Sequence, residues 1–397
     1  MSRVMRLTSS VLLAAAMAVP TAGATTLTTL HGFQGGNDGA VPVGGAVYVN
    51  GSLYGVTSLG GMSNSSAGTV FKVDLGTGTE SVIYSFAGGR DGSDPSAGLT
   101  YHLGALFGTT AEGGDTDCGC GTIFKIDIAT GAEKVLYRFK VNDGGAPNGP
   151  MIYENGMLYG TLCGSCLSVG DGAVFQYDLK ARKAAILHRF KGGRDGQDPM
   201  DSALLYNEGM LYGTTALGGD LKCYFLGCGT VFSINPATGQ ETILHPFKGG
   251  SDGSMPMAGL TLFNNKLFGT TAMGGHSPCM GGCGTTFNID TTSKVETVIH
   301  VFDMAGGFGP RDNLVLDRGK DRSVHRGVAH GPTESGGDGL GSIFHIELRT
   351  GKVATDYIFE GGADGGLPSG LTEANGVFYG TTSFGGGGYG TVFELTP

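Results

Sequence analysis

The sequence predicts an all-β fold, a seven-bladed β-propeller of four-stranded antiparallel blades, and three observations carry that prediction. First, the chain of 397 residues contains 76 glycines, spread evenly along its length. Each interior Gly costs a helix about 1 kcal/mol relative to Ala, which excludes a mainly helical protein. Second, one set of phrases recurs seven times with a period of about 54 residues, the range of propeller repeats. Third, the two ends of the chain carry complementary parts of that unit. With 40% hydrophobic and 15% charged residues the chain is too apolar for disorder. It also lacks the Gly-X-Y triplet period of collagen.

Three phrases define the unit. Leu-Tyr/Phe-Gly-Thr-Thr and its variants occupy residues 53–57, 106–110, 158–162, 211–215, 267–271 and 378–382. A Gly-Thr-Val-Phe-like phrase begins at Gly68, Gly121, Gly172, Gly229, Gly284, Gly341 and Gly390. An apolar-His/Tyr-x-Phe phrase ends at Phe33, Phe86, Phe139, Phe190, Phe247, Phe302 and Phe359. Each period reads as four short strands, a to d. In the second period these are residues 98–101, 105–110, 122–127 and 134–139, joined by Gly-, Asn- and Asp-bearing turns such as Ala129-Thr130-Gly131.

The ends support a closed circle. The chain opens on a d-type strand, residues 27–33, and finishes on a c-type strand, residues 390–395. The N-terminal strand therefore completes the last blade and leaves no unpaired inter-blade edge. A stacked β-solenoid, the alternative repeat fold, has no need of complementary half-blades. The mid-strand glycines Gly55, Gly108, Gly160, Gly213, Gly269, Gly327 and Gly380 read as places where a ring or backbone approaches closely. The His/Tyr position of strand d (His31, Tyr84, Tyr137, His188, His245, His300, Tyr357) reads as an inter-blade packing slot, because Tyr replaces His freely.

Residues 1–24 read as a secretory signal, with Arg3 and Arg6 ahead of an apolar run over 11–19 and a small-x-small site at Ala22-Gly23-Ala24. Residues 25–397 then form a single propeller domain. The expectation is export to the periplasm or the extracellular space, with no membrane span after cleavage, no C-terminal anchor and a monomeric state. A net charge of −10 with scattered bases argues against a nucleic-acid partner.

The eight cysteines fall into four local pairs, Cys118/Cys120, Cys163/Cys166, Cys223/Cys228 and Cys279/Cys283, each in the b–c loop of one of four consecutive blades. In an exported chain such pairs read as disulfides. A redox Cys-x-x-Cys at Cys163 and Cys166 would want a helix behind it, and a Zn site would need loops on different blades to converge.

On the Leu-Tyr-Gly-Thr-Thr, Gly-Gly, Gly-Thr-Val-Phe and Asp-Gly-x-x-Pro phrases, residues 26–397 resemble the GloVer-type tandem-repeat family, exported bacterial proteins with a choice of C-terminal anchors. The resemblance implies a secreted or surface repeat protein and brings no activity with it.

The b–c and d–a loops share one face of such a disc, and the long, variable b–c loops make it the binding face. The d–a loops carry Gly-Gly-x-Asp-Gly-x-x-Pro, with Asp38, Asp91, Asp195, Asp252 and Asp364, and Asp143 in a shifted copy. Asp-Gly before Pro is first a turn signal; the functional alternative is a carboxylate ring for a polar ligand or Ca²⁺. Only Asp91/Asp94 and Asp195/Asp198 offer a second nearby carboxylate, and no other metal or cofactor set is evident.

The sixth blade departs from the pattern. His325-Arg326-Gly327-Val328-Ala329, followed by His330, stands where Leu-Tyr-Gly-Thr-Thr is expected, after a charge run over 317–322, and its d–a loop ends in Pro310-Arg311-Asp312. It reads either as a decayed blade or as a pocket lined by His325, Arg326, His330 and Glu334. No Ser/His/Asp set, HExxH, phosphate loop or dinucleotide fingerprint is present. The expected function is a non-catalytic binding or structural module for a polysaccharide or surface protein. The alternative is a carbohydrate-active enzyme with its site near the sixth blade. Paired carboxylates in a central pocket would mark a hydrolase, and a His–Arg–acid cluster at the channel mouth a lyase.

Overall fold

The structure, a computed structural model, describes residues 25–62, 66–164, 170–221, 223, 226–275, 279–319, 327–336 and 339–397; the expected signal, residues 1–24, lies outside them. Seven antiparallel sheets with strand order a-b-c-d form seven blades, spanning residues 40–85, 100–138, 146–189, 205–246, 261–301, 315–358 and, for the last, 366–396. Strand d of the last blade is the N-terminal strand Thr26–Gly32, which pairs antiparallel with Thr391–Thr396 from Thr26 opposite Thr396 to Gly32 opposite Thr391. The ring is thus closed by main-chain hydrogen bonds.

The phrases are the inter-blade joints. The Phe that ends strand d packs edge-on against the strand-c Phe of the next blade, as in Phe86–Phe124, Phe139–Phe175 and, across the closing seam, Phe33–Phe71. Centroid separations over the seven seams run from 4.9 to 5.3 Å, and the rings are buried. Such a pair adds about 0.5–1.5 kcal/mol beyond its area burial. The strand-b glycine makes room for that ring: Gly108 pairs with Phe124, and a Cβ at Gly108 would stand 2.4 Å from Phe124 Cζ.

The Thr residues at the end of strand b and the start of strand c share hydroxyls, as in Thr110–Thr122 at 2.9 Å and Thr271–Thr285 at 2.8 Å, all buried. The Gly of the Asp-Gly turn sits on that pair in five blades, at Gly39, Gly92, Gly196, Gly253 and Gly365; a Cβ at Gly92, whose φ is +99°, would meet Thr110 Oγ1 at 2.5 Å. Bridges such as Ser93 with Glu112 and Ser254 with Met273 join the d–a and b–c loops, so the two loop sets do share one face.

The sixth blade corrects the sequence reading. Strand b is Val328–Thr333, and the glycine opposite the strand-c Phe is Gly331, paired with Phe344. Gly327 belongs instead to the a–b turn, where its carbonyl accepts the Leu348 N–H, as the Gly104 carbonyl accepts that of Ile128 in the second blade. The repeat phrase in this blade is therefore Ala329-His330-Gly331-Pro332-Thr333, four residues later than expected. What changes is the a–b connection, a two-residue turn at Leu103-Gly104 in the second blade; here eleven residues, of which 320–326 lie outside the described residues, separate Leu316 from Val328.

Three disulfides close b–c loops, Cys118–Cys120, Cys223–Cys228 and Cys279–Cys283, with Cα atoms 5.0–5.2 Å apart. Cys166, the expected partner of Cys163, lies outside the described residues. Among the described residues no cysteine is free, and no helix is long and apolar enough to cross a membrane.

Candidate functional site

Past its Pro, each d–a loop runs inward to start strand a, and one cavity of about 320 Å³ is lined by residues from six of the seven blades, which puts it on the propeller axis. Two residues beyond the Pro, five blades carry Gly44, Ala97, Gly149, Ala258 and Gly370; the fourth and sixth carry Asp201 and Asp312. Small side chains keep an axis open. Two aspartates at the same level of a ring have no packing reason, since each brings a charge toward the other.

Neighbouring groups hold these carboxyls in place. Asn148 Nδ2 donates to Asp201 Oδ1 at 3.0 Å, and the Asp201 N–H donates back to Asn148 Oδ1 at 3.1 Å. Asp201 takes the left-handed backbone conformation, φ +51°, that Gly44 and Gly370 take at the equivalent position. Asp312 Oδ2 accepts the Gly370 N–H at 2.6 Å. Next to it, Asn313 Oδ1 accepts the Gly259 N–H at 2.5 Å, tying the sixth blade to the fifth. Arg311 reaches Glu334 across the cavity rim, Nε to Oε2 at 2.9 Å.

Desolvation governs the charge state. Asp201 is open to the cavity's solvent, yet protein surrounds it on nearly every other side. This enclosure, with the charge of Asp312 and a partial offset from Arg311, pushes its carboxyl up to about 6. Burial pushes Asp312 up as well, against the stabilising N–H groups of Gly370 and Asn313. The axis therefore presents two carboxyls whose charged forms burial disfavours, two carboxamides and a guanidinium, in a space at the lower end of the roughly 300–1,000 Å³ of small-molecule sites.

Of the four residues expected to line a sixth-blade pocket, two are among the described residues, and of these Glu334 lines the cavity and His330 does not. His330 is buried in the sheet, its ring 4.1 Å from that of Phe378 and its Nδ1 2.9 Å from Asp356 Oδ2. Asp356 also accepts from His345 Nδ1 at 2.6 Å, a bond that pushes the His345 imidazole up. His330 thus fills the aromatic slot that Phe107 fills in the second blade, with a polar bond added. His325 and Arg326 lie outside the described residues.

The loop aspartates close their own turns. Asp91 Oδ2 accepts the Ala87 N–H at 2.7 Å, and the Tyr84 O–H donates to Asp91 Oδ1 at 2.9 Å. Tyr137–Asp143, His188–Asp195, His245–Asp252 and Tyr357–Asp364 repeat the contact at 3.0–3.3 Å, and His31–Asp38 stands at 3.5 Å. The strand-d slot is therefore a packing position with a polar tip. The axial pair Asp201 and Asp312 escaped the sequence reading, although the substitution of Asp for Gly or Ala at one repeat position was there to be seen.

Against known proteins, the chain is similar in fold to an oligogalacturonate lyase in complex with manganese (TM-score 0.54, 11% identity, 94% of this chain and 96% of that one). It is similarly close to the N-terminal domain of Nup159 (0.54, 11%, 95% and 96%). A putative 6-phosphogluconolactonase from Bacteroides uniformis matches at 0.52, with 14% identity over 80% of this chain and 85% of that one. At such identities these likenesses show the propeller fold alone. No curated protein matches the chain. The model of the Gloeobacter/Verrucomicrobia repeat matches residues 18–226, 117–324 and 224–397. With the repeat phrases accounted for as blade joints and the matches running to the last residue, the chain belongs to the Gloeobacter/Verrucomicrobia repeat family.

Proposed function

We propose that this protein is an exported binding module whose axial cavity holds a small polar group rich in hydroxyls or carboxylate, such as the end of a glycan. The observation that carries the reading is the pair Asp201 and Asp312 at a position where every other blade has Gly or Ala. Carboxyls, carboxamides and a guanidinium in one concave site are the donors and acceptors that fix a sugar's orientation. The disulfides support an oxidising compartment.

One observation favours a second reading, a carbohydrate-active enzyme. A carboxyl held near 6 beside another carboxyl pushed upward is the arrangement a general acid needs. Both readings meet one experiment: a glycan-array and polysaccharide-depolymerisation screen with the purified protein and its Asp201→Asn, Asp312→Asn and Arg311→Ala variants. Retention of a glycan by the wild type, weakened about tenfold or more in the variants, supports the module. Release of new reducing or unsaturated ends, lost in the Asp variants, supports the enzyme. Glycan binding that the three variants leave unchanged removes the axis from both readings.

A further inference from the structure

Away from the axis, the outer edges of adjacent blades bring a second set of groups together. In the gap between blades three and four these are His188 of strand d, Asp195 of the following turn and Glu241 of the next blade's strand d; between blades four and five they are His245, Asp252 and Glu296. We propose that each of these two gaps is a site for a divalent first-row transition ion of the Zn²⁺ class, held by one imidazole and two carboxylates from two blades.

Geometry is the first argument. In both triads one donor atom from each residue lies within 4.8 Å of the others. His188 Nε2 stands 3.3 Å from Asp195 Oδ2, and His245 Nε2 3.2 Å from Asp252 Oδ2. Two ligands on a tetrahedral ion with bonds of about 2.0–2.1 Å are separated by about 3.3 Å, so that spacing admits a shared ion with little movement.

The second argument is independent of the cluster's charge. Glu241 Oε1 and Glu296 Oε1 are sealed from solvent and have no hydrogen-bond partner. Leaving a carboxylate oxygen in that state is costly, and native proteins rarely do so without a use for it. A dication supplies the missing partner to both carboxylates and cancels their charge. The donor set selects the ion: imidazole with carboxylate suits Zn²⁺ and its neighbours better than the all-oxygen sites of Ca²⁺ or Mg²⁺. Three protein donors leave a position for water.

The other gaps provide a control within the same molecule. Between blades one and two the set is Tyr84, Asp91 and Glu133, and Glu133 Oε1 also lacks a partner. The slot residue there is a phenol that donates its proton to Asp91 and, while it keeps that proton, is a far poorer metal ligand than imidazole. Tyr at the slot thus removes the imidazole donor, and proximity decides among the His gaps: at the closing seam His31, Asp38 and Glu80 repeat the three residue types, but His31 Nε2 stands 3.5 Å from Asp38 Oδ2 and the three donors do not come as close. Among the described residues, only the two gaps flanking blade four bring three such donors this close.

The test is titration of the chelator-stripped, full-length protein with Zn²⁺ by calorimetry, with Co²⁺ absorption as a spectroscopic probe of the bound ion. Two equivalents per chain are expected, with visible Co²⁺ bands and a higher melting temperature at saturating Zn²⁺. The near-isosteric double variant Glu241→Gln/Glu296→Gln, shown to be folded by circular dichroism, should bind each ion on the order of 10–100-fold more weakly, with the precedent of groups that only orient metal ligands. His188→Gln should lose one equivalent, and Tyr84→Phe should keep both. A wild-type protein that takes up neither ion, or a folded double variant that still binds two with unchanged affinity, would overturn the proposal.

Discussion

At the seam between blades two and three, Phe139 meets Phe175 edge-on at 5.1 Å, and the same pair recurs around the disc. On the axis, residues at one shared repeat position are Gly or Ala in five blades and Asp in two. The difference teaches how a repeat protein divides its labour. A wedge must satisfy its neighbours on both sides, so whatever joins wedges is copied into every unit. A ligand needs each group once, so binding residues appear where copies differ. Regular residues report the joint, and irregular ones report the task.

The largest effect should come from breaking the joint. Phe175→Ala removes a fully buried ring that packs on Phe139 and over Gly160, and should cost about 3–5 kcal/mol in denaturant unfolding. A loss near that of an ordinary surface change would show that the seams do not hold the disc. Smaller effects are expected from the loops. Cys223→Ser/Cys228→Ser opens a loop of sequence separation 5 and should cost about 2 kcal/mol by chain entropy, with the axial cavity unchanged.

The mildest test is pH. Burial, reinforced by Asp91, pushes Glu133 from its ordinary 4.5 up to about 7. The folded chain therefore keeps a proton there that the unfolded chain releases. Its contribution is intact below about 4.5 and is lost as pH rises through 7. Denaturation midpoints measured at either end of that window should fall with pH, and Glu133→Gln should flatten the fall. A variant that keeps the wild-type slope would assign the dependence elsewhere.

Much of this architecture was legible because it is repeated. Seven phrase sets, the half-blades at the ends and the disulfide pairs follow from residues whose roles are local and identical. The register of blade six was not, because Gly327 imitates the strand-b glycine from within a lengthened a–b loop; only the opposing Phe344 reveals that Gly331 holds that place. The axial site was hidden for a different reason. Asp201 and Asp312 lie about 110 residues apart in sequence, and only closure of a ring sets them around one cavity.

That closure also governs how the molecule is made. Thr26 waits for Thr396, so the earliest strand of the disc to be synthesised has no hydrogen-bonded strand partner until nearly the whole chain exists. Pairing across such a distance is slow compared with local hairpins. The first strand acts as a clasp, and a polypeptide interrupted before its final strand is left with an open edge at which proteases and chaperones can recognise unfinished work.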